Sequence, residues 1–173
     1  MSYQVGLVCG ILLGALAGVC LIALLFKKKV LDCTFDERQE LARGRAFKRA
    51  FFTLIIALVA YGFSDTFLGR WCDALMGVLL CVCAAMLVFA VTCIQHDAYL
   101  SLKETPRKVM TLFALLTVIN LSIGGMNLLT QGGMIENGVL TYRAANLIVG
   151  VLTGVILVIY IINFLLAGRE DAE

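Results

Sequence analysis

Residues 5–26 read VGLVCGILLGALAGVCLIALLF, a run without a charge that stops at Lys27, Lys28 and Lys29. A helix needs about 20 apolar residues to cross the hydrocarbon of a bilayer, and this run supplies them. Within it Gly6, Gly10, Gly14 and Gly18 recur every four positions. On an α-helix that spacing clears a groove along one side, a glycine zipper suited to close helix packing.

The rest of the chain follows the same pattern. Of its 173 residues 61% are hydrophobic and 15% charged, with one proline. A fold this small cannot hide so much apolar surface from water, so the sequence predicts lipid as its solvent. Further apolar runs cover 46–67, 71–94, 109–130 and 144–167. The expectation is an all-α, single-domain integral membrane bundle of five transmembrane helices spanning residues 1–173.

Charge orients that bundle. Twelve of the fourteen Lys and Arg residues fall in 27–49, 95–108 and 168–173, leaving only Arg70 and Arg143 for the other side. The positive-inside rule then places the N-terminus outside and the C-terminus in the cytoplasm. Met1 to Gln4 carry no positive charge, which argues against a cleaved secretory signal.

The longest polar segment, 27–49, is predicted to be cytoplasmic. Thr34 followed by Glu37 has capping-box spacing, with Asp36 and Glu37 in the favoured first turn. Arg38, Arg43, Arg45, Lys48 and Arg49 come next, able to contact anionic lipid or a protein partner. The plainer reading is a topology determinant, its charge offset by Asp32, Asp36, Glu37 and Glu40. Thr105 and Pro106 predict another helix start, and Asn137-Gly138 a turn.

Polar residues inside spans are the main candidates for function. Thr117, Asn120, Gly124, Asn127 and Gln131 share one helical face, and an amide in hydrocarbon requires a partner. That face is either the wall of a polar cavity or a strip of interhelical hydrogen bonds. Asn146, Thr153, Gly150 and Gly154 in the last span are candidate counterparts. Gly150 and Gly154 could also pack on the glycine groove of the first.

Chemistry is sparsely signalled. Cys9, Cys20, Cys81, Cys83 and Cys93 lie in apolar runs and read as small hydrophobes. Cys72, at the outer edge, is the thiol expected to meet an oxidising compartment, with Cys9 a conceivable partner. Cys81 and Cys83 lack a histidine and make no metal site. His96 and Asp97 are adjacent and do not face each other on a helix. No catalytic residue, metal or cofactor is predicted, and no nucleic-acid motif is visible.

Phe35-Asp36-Glu37-Arg38-Gln39, with Arg43-Gly44-Arg45-Ala46-Phe47-Lys48 at the entrance to a span, resembles the Asp-Glu-Arg-Gln stretch of small bacterial multi-pass membrane proteins. Those proteins have no agreed activity, so the resemblance implies a bacterial cytoplasmic membrane and transfers no site residue. The sequence thus points to a non-enzymatic membrane protein acting through helix association and its basic segment, with partners in the lipid bilayer, a second copy or another protein. The alternative is a small oligomeric channel or transporter for a polar solute, lined by 109–130.

Overall fold

The computed structural model describes Leu13, 16–18, Cys20, Leu24, 34–129 and 133–170, with side chains as far as Leu166. It is mostly helical, and the described residues fall into two compact units. In the first, Leu13, 16–18, Cys20 and Leu24 are helical, and the Leu102 amide donates to the Thr34 carbonyl at 3.0 Å. Most of the predicted span 5–26, including Gly6, Gly10 and Gly14, lies outside the described residues.

The second unit holds α1 (Glu37–Leu68), α2 (Ala74–Gln95), α3 (Pro106–Leu129) and α4 (Ala145–Glu170). Between α3 and α4 come β1 (Ile135–Glu136), β2 (Val139–Leu140) and a 3-10 turn at Tyr142–Ala144. Among the described residues four helical stretches, Glu37–Leu68, Ala74–Gln95, Pro106–Leu129 and Tyr142–Leu166, are long and apolar enough to cross a membrane. Their outward faces are apolar as well, with Phe47 63% and Val118 62% exposed. Such surfaces are compatible with an integral membrane protein.

Helix α1 starts two residues later than expected. Asp36, not Thr34, is the N-cap: its carboxylate accepts from the Gln39 amide at 2.6 Å, and the Gln39 side chain accepts in return from the Asp36 amide at 3.2 Å. Asp and Gln at this spacing make the reciprocal box that satisfies two otherwise orphaned N–H groups. Helix α3 starts at Pro106, where a missing N–H removes no helical bond.

Helix α2 packs on α1 on one side and on α4 on another, while α3 packs on α4. Small residues set these distances. Ala42 and Ala46 of α1 and Cys81 and Ala85 of α2 are all buried. At Gly77 an added Cβ would fall on the Tyr61 ring, so the ring of α1 lies directly against α2.

At one end the β1–β2 hairpin folds back over the α1–α2 connection. Asn137 and Gly138 both take positive φ, the requirement of a two-residue type I′ turn. The Leu140 amide donates to the Trp71 carbonyl at 2.9 Å, and the Asp73 amide donates to the Leu140 carbonyl at 2.8 Å. Cys72, Met76, Met134 and Ala144 form a small core beneath. Cys72 is therefore 1% exposed and free, which corrects the expectation of an accessible thiol. Its conceivable partner Cys9 lies outside the described residues.

The opposite end of α2 closes in a Schellman motif. The Ala98 amide donates to the Cys93 carbonyl at 2.8 Å and the Asp97 amide to the Ile94 carbonyl at 3.2 Å, with Asp97 at φ 51°. This pattern satisfies terminal carbonyls of the helix and turns the chain sharply.

Candidate functional site

The basic end of α1 divides into two sets of residues with different surroundings. Gln39 and Arg43, one turn apart, face the Schellman turn of α2. The Gln39 side chain donates to the Asp97 carbonyl at 2.7 Å and to the Leu100 carbonyl at 3.4 Å, and Arg43 donates to the Ala98 carbonyl at 3.1 Å. The Arg43 guanidinium also lies 4.0 Å from the centroid of the Phe35 ring and 5.6 Å from that of Phe89. In the Asp-Glu-Arg-Gln stretch Asp36 and Gln39 thus cap their own helix, and Gln39 alone also clasps a turn distant in sequence.

Arg38, Arg45, Lys48 and Arg49 are exposed. Among the described residues Arg70 pairs with Asp73 and Arg143 with Glu136, and these four cations join neither pair. Arg45, Lys48 and Arg49 line one side of a surface cleft of about 580 Å³ that Phe52 and Ile56 continue along the helix. Spacings of three and four place this set on one face, with cations at the helix start and apolar side chains deeper.

A second cleft, of about 390 Å³, lies along the α1–α2 seam with Arg43 at its head. Phe47, Phe51 and Leu54 supply one wall, Met86 and Phe89 the other. The Phe47 and Phe89 rings pack with centroids 4.8 Å apart. The Phe47 and Phe51 spacing was available in the sequence, but the α2 wall depends on tertiary pairing and had no local signal.

The polar face of α3 meets α4. The Thr117 hydroxyl donates to the Thr153 hydroxyl at 3.0 Å, and the Asn127 side chain donates to the Arg143 carbonyl at 3.1 Å. Asn120 donates to the Leu116 carbonyl of its own helix at 2.8 Å. Gly124 lies against the Leu147 backbone, where an added Cβ would approach to 2.8 Å. Gly150 and Gly154 face Leu121 and Thr117 of α3. Asn146 is half-buried in the first turn of α4, and Gln131 lies outside the described residues. Gly18 is helical with open space where a Cβ would be.

Remaining candidates are structural in their surroundings. Arg70 pairs with Asp73 at 3.0 Å, and the Trp71 indole donates to the Ser64 hydroxyl at 2.9 Å. His96 is exposed in the Schellman turn. Just beyond it, Tyr99 packs between Phe113 and Tyr160, and burial pushes its phenol up to about 12. Among the described residues no group of three or more His, Cys, Asp and Glu could hold a metal ion.

No known protein family, curated protein or solved structure matches this chain.

Proposed function

We propose that this chain is a non-enzymatic, multi-pass protein of a bacterial cytoplasmic membrane, with its N-terminus outside and its C-terminus inside, that engages anionic phospholipid through the basic start of α1. The observation that carries this reading is the exposure of Arg38, Arg45, Lys48 and Arg49 without a partner in the ion pairs seen among the described residues. Near an anionic surface each such cation contributes about 1 kcal/mol. Gln39 and Arg43 support the reading by fixing the helix end that presents them.

A solute path along α3 is the competing reading, and the hydrogen bonding there favours helix association instead. Thr117 and Asn127 direct their donors to the α4 side of the seam, and Asn120 satisfies its amide within its own helix. Polar groups used in this way contribute to holding helices together.

The test is lipid composition around the purified protein in membrane discs formed from mixed phosphatidylglycerol and phosphatidylcholine. Enrichment of phosphatidylglycerol several-fold over the bulk, reduced in the Arg45→Gln, Lys48→Gln, Arg49→Gln triple variant, is expected. Bulk composition around the wild type overturns the reading. Solute flux in reconstituted vesicles that Asn120→Leu abolishes would favour the channel.

A further inference from the structure

The cleft headed by Arg43 has features that the exposed cations lack. Its guanidinium is half-buried and held in place, by a bond to the Ala98 carbonyl and by the Phe35 ring. It takes no part in the ion pairs seen among the described residues, so no carboxylate there neutralises it. A fixed guanidinium with further N–H donors to spare is suited to phosphate, which it can grip through two parallel bonds.

Below that charge the lining is apolar. Phe47, Phe51 and Leu54 follow Arg43 at intervals of four, four and three, along one face of α1, opposite Met86 and Phe89. From Arg43 to Leu54 the helix rises about 16 Å at 1.5 Å per residue. That is about half the roughly 30 Å hydrocarbon thickness of a bilayer, hence the depth of one leaflet. Charge at one end and apolar walls for a leaflet's depth match one class of molecule in both respects.

We propose that the α1–α2 seam is a seat for one anionic phospholipid, its phosphate on Arg43 and one acyl chain lying over the exposed edge of the seam, on Phe47, Phe51, Leu54, Met86 and Phe89. The proposal rests on the membrane reading given above, but it differs from diffuse attraction by requiring a bound stoichiometry and a filled cleft. Arg43 acts as the ligand contact. Gln39 acts as a positioning residue by fixing the turn whose Ala98 carbonyl holds Arg43.

Native mass spectrometry of the full chain, extracted in mild detergent and supplied with phosphatidylglycerol or phosphatidylcholine, tests it. The expected result is one phosphatidylglycerol retained per chain and at least tenfold less phosphatidylcholine. Arg43→Gln should reduce retention about tenfold, and Arg43→Lys should recover part of it. Ala50→Phe, which places a ring in the cleft while keeping every charge, should also empty it. Thermal unfolding of each variant in detergent identifies any that fail to fold, and the others decide. Retention unchanged by Arg43→Gln or by Ala50→Phe in a folded variant overturns the seat, as does a retained molecule that is a free fatty acid. If no lipid is retained yet discs still enrich phosphatidylglycerol, the seat is refuted and the broader reading stands. If both signals are absent, both are refuted.

Discussion

The Gln39 side-chain amide donates to the Asp97 backbone carbonyl at 2.7 Å across 58 positions of sequence. The same side chain accepts from the Asp36 amide, so one residue closes the N-terminus of α1 and ties it to the C-terminal turn of α2. Its burial, at 7% exposure, makes both bonds costly to lose. Unsatisfied buried groups cost about 1–3 kcal/mol each, and loss of the cap adds to this. Gln39→Leu should therefore destabilise the protein by about 2 kcal/mol or more. Gln39→Glu keeps the acceptor for Asp36 but loses the donor for Asp97, and should fall close to Gln39→Leu. Thermal unfolding in detergent measures both, and wild-type melting of either would remove the clasp from the account.

Close approach of α3 and α4 predicts a graded response among neighbouring glycines. Gly124 faces the Leu147 backbone and Gly150 faces Leu121, each at 2.8 Å for an added Cβ, whereas Gly125 has open space there. Overpacking of this kind costs about 1–3 kcal/mol. Gly124→Ala and Gly150→Ala should each lower stability by that amount. Gly125→Ala should be neutral or slightly stabilising, because alanine favours helix by roughly 1 kcal/mol over glycine. Equal effects at Gly124 and Gly125 would show that the helices are not in contact at this register.

The pair Thr117 and Thr153 gives a direct measure of interhelical bonding. Thr153 also donates to carbonyls of its own helix at 3.0 Å, leaving its oxygen free to accept from Thr117. A double-mutant cycle with Thr117→Val and Thr153→Val should give a coupling of about 0.6 kcal/mol, with roughly 1.7 as the upper bound for such bonds in membranes. Additive single effects would mean that the two hydroxyls act independently.

What the sequence made legible was mostly local. Predominantly apolar runs identified the helices, and the spacing of Thr117, Asn120, Gly124 and Asn127 identified one polar face. The polar residues of the last span marked it as a candidate partner for that face, and Thr153 does meet Thr117; the glycines alone left their neighbour open, because Gly150 is equally suited to any close helix and lies against Leu121. The helix cap was displaced from Thr34 to Asp36 because both residues have a capping partner three positions on. Only the packing against 97–100 selects Gln39. Cys72 was expected at an accessible edge, since nothing adjacent to it in sequence foretells a hairpin 60-odd residues later folding over it. The glycine groove that opens the chain remains an expectation at Gly6, Gly10 and Gly14, which lie outside the described residues.

Tyr99 predicts a pH dependence whose sign is fixed by its surroundings. Burial between Phe113 and Tyr160 is the main cause of its elevated pKa, with Cys93 and Glu104 adding to it and Arg43 opposing. The folded phenol holds its proton to about 12, against 10.0 for the ordinary group. Below pH 10 both the folded and the unfolded chain carry the proton, so the contribution of the neutral phenol to stability is fully present. Between about 10 and 12 the unfolded chain ionises first, and that contribution is lost as pH rises. Tyr99→Phe should abolish this part of the alkaline destabilisation. The wild-type minus Tyr99→Phe phenolate absorbance, titrated in detergent, should have its midpoint near 12 when folded and near 10 in denaturant. A midpoint near 10 in the folded protein would mean that Tyr99 is open to water, and that the packing of the α2 turn on α3 and α4 is incorrect.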